Sequence, residues 1–225
     1  MSDMVDINAV FEMLAQITIS VLPVVLAITL HEVGHGWMAR WCGDPTAAER
    51  GRLSLNPLRH IDPIGSVLLP LLLVVTRAGF IFGWAKPVPV NWRNLRNVRR
   101  DMALVALAGP AVNLLQILAW MAVLWLAAQL NHGHGWFAGA LISMAEVGII
   151  ANLALALFNL IPLPPLDGSR VLISILPRSA AITFSKLEPY GLIIIIGLIY
   201  FRVINRLLVP VLQAGLHLVY ALLPG

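Results

Sequence analysis

His31 and His35, four residues apart with Glu32 between them, form the HEVGH segment of ITLHEVGHGWMAR, residues 28–40. On a helix, residues i and i+4 project within about 40° of each other, one turn apart, so both imidazoles could reach one metal ion. A glutamate beside such a pair can take a proton from metal-held water, which is the chemistry of a zinc hydrolase. Chance could also place two packed histidines at a helix end. The apolar run preceding them argues against chance, because ionisable groups in membrane-like segments are expensive without a partner and are functional candidates by default.

Catalytic zinc takes three protein ligands and keeps one position open, so a third ligand must come from elsewhere in the chain. The side chains with suitable chemistry are His60, Asp62, His132, His134, Glu146, Asp167 and His217. Asp167 is favoured. It stands in FNLIPLPPLDGSR, residues 158–170, where Pro162, Pro164 and Pro165 end a helix and Gly168 frees the backbone beside the carboxylate. The same turn could simply end one helix, with Asp167 as the N-cap of the apolar run 169–176. That reading leaves unexplained Asn152 and Asn159, which share a face of the preceding apolar helix. His60, behind Arg59 in a basic loop, is the alternative ligand. Asp62 before Pro63 reads as a turn residue; His132, His134 and His217 read as surface or packing residues. Asn113, in ALAGPAVNLL at 106–115, either packs helices or lines the site, and Gly109 and Pro110 beside it permit a close approach or a kink. Glu146 points about 220° away from Asn159 on a helical wheel, hence away from the metal.

The elements that must position these residues are membrane helices. Of 225 residues, 59% are hydrophobic and 12% charged, which excludes an ordinary soluble domain. Apolar stretches at 13–33, 102–130, 137–161 and, interrupted by proline, 189–223 approach the ~20 residues a spanning helix needs. Cys42, the single cysteine, cannot form an internal disulfide and reads as packing. No basic-aromatic pattern suggests nucleic acid.

Basic residues fall in three blocks: Arg40, Arg50, Arg52 and Arg59; Lys86, Arg93, Arg96, Arg99 and Arg100; Arg170, Arg178 and Lys186. Positive charge marks cytoplasmic loops, whereas the turn 131–136 has no Lys or Arg and suits the opposite side. The stretch 64–83 is apolar enough to cross, yet a single crossing would put the first two blocks on opposite faces. A re-entrant or β-hairpin-like segment near 64–90, with KPVPV as its extended exit, keeps both on one side. Parity supports Asp167 as well: with 102–130 and 137–161 each crossing once, His31, His35 and Asp167 return to one depth. The expected fold is an all-α polytopic membrane protein of about four to six transmembrane helices. It forms a single domain over 1–225, with a catalytic core at about 13–176 and a C-terminal helical region at 187–223.

With HEVGH, ALAGPAVN and FNLIPLPPLDG in this order, the chain resembles the site-2 protease family of intramembrane zinc metalloproteases. LNPLRHIDPIGS and FGWAKPVPVN are similar to its compact branch, which lacks an inserted PDZ domain; the likeness runs from about residue 25 to 176. The resemblance implies one zinc ion per chain held by His31, His35 and Asp167, Glu32 as catalytic acid/base, and Asn113 and Asn159 helping to line the site or hold substrate. It implies hydrolysis of peptide bonds within or near transmembrane segments of membrane proteins. Its setting would be a bilayer, the inner membrane of a prokaryotic cell, with the site toward the cytoplasm. Two other functions would use the same residues: a metal-ion carrier and a non-catalytic protease-like scaffold. A carrier would often show internal repeat symmetry, which is not found, and a scaffold has no need of Glu32.

Overall fold

The computed structural model describes residues 7–76, 83–130 and 136–223, and among these the regular structure is helical without a strand. Helix α1, Ile7–Trp41, continues beyond the apolar run and carries HEVGH toward its C-terminal end. It stops at Gly43, whose φ of +113° is accessible to glycine and strained for other residues. Gly43 N–H donates to Arg40 O and Asp44 N–H to Ala39 O, the paired bonds that close a helix C-terminus. One further turn follows as α2, Thr46–Glu49.

Asp62 caps the next segment, accepting from Ile64 N–H at 3.0 Å and Gly65 N–H at 2.7 Å, as a turn residue should. A π-helical turn, Pro63–Leu68, then runs into α3, Leu69–Val75. The combined helix, about 20 Å long at ~1.5 Å per residue, is short of the ~30 Å hydrocarbon core. Residues 83–91 come back extended beside its start: Trp84 N–H donates to Gly65 O at 3.2 Å and Lys86 N–H to His60 O at 2.9 Å. A Cβ on Gly65 would collide with the Trp84 ring, so glycine is what permits this approach. The two ends of the segment thus lie side by side. The residues between them, 77–82, lie outside the described residues, as does the turn 131–135 with His132 and His134.

Two long helices, α4 (Val98–Leu130) and α5 (Trp136–Asn159), pack against α1. Their directions follow from paired contacts. Asn113 meets Asn152 and Gly148 faces Trp120, so α4 and α5 are antiparallel. His35 meets Val105 and His31 meets Asn113, so α1 and α4 are antiparallel too. The C-terminal ends of α1 and α5 therefore lie at one depth, as the parity argument requires. Beyond the proline turn come α6 (Asp167–Ile175), α7 (Arg178–Ser185), α8 (Gly191–Tyr200) and α9 (Val203–Ala221).

Among the described residues, five helical stretches are long and apolar enough to cross a membrane: Leu14–Trp41, Val98–Leu130, Phe137–Asn159, Arg178–Tyr200 and Val203–Ala221. The fourth is broken by the 3-10 turn Glu188–Tyr190, which leaves α8 at about 15 Å, half the hydrocarbon thickness. Helix α9 runs back along α5: Ile204 and Leu208 join the cluster around Phe158 and Ile161, while Gly215 faces Leu153. Leu115 and Leu118, 64% and 60% exposed, belong to an apolar outer surface that suits lipid rather than water. The chain is an integral membrane protein.

Candidate active site

The site forms where glycines let α1 and α4 approach closely. A Cβ on Gly34 would meet Val112 and the Ala108 carbonyl, and a Cβ on Gly109 would strike the His31 and His35 rings. Two glycines on facing helices therefore let both imidazoles lie against the α4 backbone. The rings sit edge to face, with centroids 4.6 Å apart and an interplanar angle of 89°.

Asp167, the first residue of α6, completes the group. Its carboxylate does not cap its own helix. Instead Oδ2 lies 3.3 Å from His31 Nε2 and 3.2 Å from His35 Nε2, with the two Nε2 atoms 3.1 Å apart. The other nitrogen of each ring faces an acceptor: His31 Nδ1 donates to Asn113 Oδ1 at 2.6 Å, and His35 Nδ1 to Val105 O at 2.7 Å. Both Nε2 atoms of the neutral rings are left with lone pairs, and Asp167 Oδ2 is buried without a hydrogen-bond partner. Three acceptors this close need positive charge among them, and a proton bridges only two. A tetrahedral ion with ligand bonds of ~2.0–2.1 Å holds its ligand atoms roughly 3.3–3.4 Å apart, close to the observed triangle. The donor set and its spacing fit zinc.

Behind the ligands, Asn113 is completely buried and its orientation is fixed: Nδ2 donates to Asn152 Oδ1 at 2.7 Å and to Ala27 O at 3.2 Å, which turns Oδ1 toward His31. Asn152, also completely buried, is held in turn by its bond to Gly148 O. In front of the ligands, Glu32 Oε2 accepts a hydrogen bond of 2.7 Å from Val88 N–H in the extended segment 83–91.

Comparison with known proteins agrees with this chemistry. The description "Peptidase family M50" matches residues 126–201, the part that contains Asp167. The protein named "Putative zinc metalloprotease YwhC" of Bacillus subtilis is 38% identical over 200 residues, spanning 87% of this chain and 86% of the relative. The chain belongs to peptidase family M50. Proteins named "Putative zinc metalloprotease Rip2" from Mycolicibacterium smegmatis and Mycobacterium tuberculosis are 31% and 33% identical, over 80% and 64% of this chain and 66% and 51% of theirs. No solved structure matches it. The match at 126–201 begins well after HEVGH, and the fold brings the two parts of this M50 peptidase together.

The ligand triangle opens into a cavity of about 1440 Å³. Its walls are apolar residues of α1 and α5, the extended segment 83–91, and the start of α8. Asn159 lines the cavity, with its amide donating to Leu155 O of its own helix. His60 lines it too, but its Nε2 is bonded to Ser54 O and it stands apart from the ligand group. Arg170 ion-pairs with Glu188 and lies 5.5 Å over the Trp92 ring, tying α6 to the start of α8. Glu146 and His217 are exposed and outside the cavity; for Glu146 this agrees with its helical phase. Cys42 is buried in a cluster with Ala39, Leu95 and Val105. Sequence reasoning missed the Val88 contact and the ring-to-Gly109 packing, and it did not pair Asn152 with Asn113. A main-chain donor leaves no mark in the side-chain pattern, whereas two asparagines buried in adjacent apolar helices are a signal that could have been used.

Proposed function

We propose that this M50 peptidase is an intramembrane zinc metalloprotease that hydrolyses peptide bonds within or near transmembrane segments of membrane proteins. One observation carries the reading: three lone-pair atoms from α1 and α6 converge at 3.1–3.3 Å, each histidine's other nitrogen being committed elsewhere. His31, His35 and Asp167 hold the metal, which when bound supplies a Lewis acid and activates water for attack at neutral pH. Family membership and the relatives' names support zinc. Asn113 and the Val105 carbonyl keep the Nδ1 protons in place and so aim both Nε2 lone pairs. Glu32 takes the proton from the attacking water and passes it to the leaving amine.

The position of the site along α1 supports this substrate class. His35 and His31 are roughly 9 and 15 Å from the end of α1 at ~1.5 Å per residue, deep enough to meet a substrate inside the bilayer. A spanning helix hides its peptide bonds in internal hydrogen bonds and must partly unwind to be cut. The extended segment 83–91 gives the unwound strand a backbone to run along. The arginines on the α1, α4 and α6–α7 loops support a cytoplasmic side for this end of the bundle, and the bacterial relatives support a prokaryotic cell membrane.

The test is cleavage of a panel of single-pass membrane peptides by purified wild type and Glu32→Gln, with zinc content measured on both. Glu32→Gln retains zinc and loses roughly 10²–10⁴-fold in cleavage rate, the usual worth of a positioned base. Full activity in that variant overturns the mechanism.

A further inference from the structure

Glu32 is tethered within the cleft. Oε2 takes the Val88 N–H at 2.7 Å, while Oε1 makes no hydrogen bond among the described residues. Val88 is the only residue of Pro87-Val88-Pro89 with an amide proton, and the flanking prolines fix φ on either side of it. The donor is therefore single and stiffly held.

The strap that carries Val88 is also clamped at both ends. Before it, Lys86 N–H donates to His60 O at 2.9 Å, and the Arg52 guanidinium donates to Lys86 O at 2.8 Å. After it, Asn91 N–H donates to Asp44 Oδ2 at 2.7 Å, and Asp44 is completely buried. The Val88 side chain itself is buried, and a Cβ on Gly36 would meet its Cγ1 at 3.0 Å, so the strap lies tight against α1.

We infer that the Val88 main-chain amide is the positioning group for Glu32. It occupies Oε2 and leaves Oε1 as the oxygen that faces the reacting water, so the side chain is set in one rotamer before substrate arrives. The inference rests on the reading of Glu32 as proton acceptor. An untethered glutamate would distribute itself among rotamers, and a misplacement of about 1 Å can lower a rate on the order of a hundredfold. One strap then has two duties, because the segment that walls the substrate cavity also aims the base.

The contact is made by the backbone, so it can be separated from the packing of the Val88 side chain. In zinc-loaded protein in phospholipid nanodiscs, Val88→Pro removes the donor and Val88→Ala keeps it. Val88→Pro lowers kcat about 10- to 100-fold, with KM within about threefold and zinc content unchanged, whereas Val88→Ala recovers kcat to within about threefold of wild type. An unchanged kcat in Val88→Pro, or equal losses in both variants, overturns the inference.

A second measurement does not depend on activity or on tolerance of a third proline. Pro87 and Pro89 have no amide, so hydrogen exchange across 87–89 reads Val88 alone. In Glu32→Ala, Val88 exchanges at least about tenfold faster, as loss of a charge-assisted bond requires, while Lys86, bonded to His60 O, keeps its rate. An unchanged Val88 rate overturns the contact. Full activity of Glu32→Gln would instead remove the role of Glu32 as base, an outcome recognisably different from either failure.

Discussion

Asn113 gives the sharpest test of how the metal ligands are aimed, because its hydrogen bonds can be taken apart separately. Replacing it with leucine, which has the same branched shape but no polar atoms, removes the acceptor of the His31 Nδ1 proton at 2.6 Å and the donors to Asn152 Oδ1 at 2.7 Å and Ala27 O at 3.2 Å. The Ala27 carbonyl keeps Gln116 Nε2 at 3.5 Å, so two buried groups are orphaned: the His31 Nδ1–H and Asn152 Oδ1. At about 0.6 kcal/mol each, the average for interhelical bonds in membranes, or ~1–3 kcal/mol each as unsatisfied buried groups, the fold loses about 1–6 kcal/mol. The metal should lose on the order of 10- to 100-fold in affinity, about 1.4–2.7 kcal/mol, since the ring is no longer held in its tautomer and orientation. Competition with a chromophoric chelator in detergent measures this directly. Asn113→Asp keeps an acceptor for His31 and should bind zinc nearly as wild type does. Asn152→Leu lets the Asn113 amide rotate and should fall between the other two. Wild-type zinc affinity in Asn113→Leu, with helicity retained, would refute the view that this amide sets the ligand.

Gly109→Ala places a methyl group against both imidazoles; zinc content after dialysis should fall at least about tenfold with helicity unchanged, and full zinc occupancy would contradict the packing described. Asp44 lies outside the membrane spans. Burial acts to raise its carboxyl, but the Thr46 hydroxyl, the Asn91 and Thr46 N–H groups and the Asn94 amide outweigh burial and hold it below the ordinary carboxylate range. A group depressed in the folded state contributes stability that is present above its unfolded value of about 3.9 and is lost as pH falls through the folded value. Thermal melts between about pH 5 and about pH 3 should therefore show wild type losing stability, and Asp44→Asn starting lower and losing less; equal slopes would exclude the linkage. Single cysteines at positions 52, 94 and 178 in a Cys42→Ser background should all react from one side of sealed vesicles, and one at 133 from the other. If 52 and 178 label from opposite faces, the shared metal site is wrong.

What could be read from the sequence was whatever side-chain chemistry or periodicity encodes. HEVGH points to two ligands and a base: helical spacing puts His31 and His35 on one face, and Glu32 stands beside them in the sequence. Asp167 was a candidate through parity, since three ligands of one ion must share a depth, and the antiparallel course of α1, α4 and α5 is compatible with that depth. Helix ends were less legible. The apolar run of α1 fades at about residue 33, yet the helix continues to Trp41 because nothing breaks the backbone before Gly43. The C-terminal region reads as one proline-interrupted apolar stretch, but the turns at Glu188–Tyr190 and at Arg202, with φ of +58°, divide it into a half-length helix and a full one.

The rest was hidden for a physical reason. The groups that aim the catalytic side chains are the Val105 carbonyl, the Val88 amide and the missing Cβ of Gly109, and none has a distinguishing side chain. Asn113 and Asn152 do have one, but an amide in an apolar helix is as often a packing contact as a site residue, and only the fold decides by joining it to His31. The residues that perform chemistry must be of particular types and so announce themselves. Those that hold them in place need only offer an N–H, a C=O or an absence at the right point, and such points exist only after the chain has folded. In this peptidase the positioning layer is mostly main chain, and the two prolines around Val88 are its visible trace in the sequence, since they leave Val88 as the one donor of Pro87-Val88-Pro89, the donor that Glu32 uses.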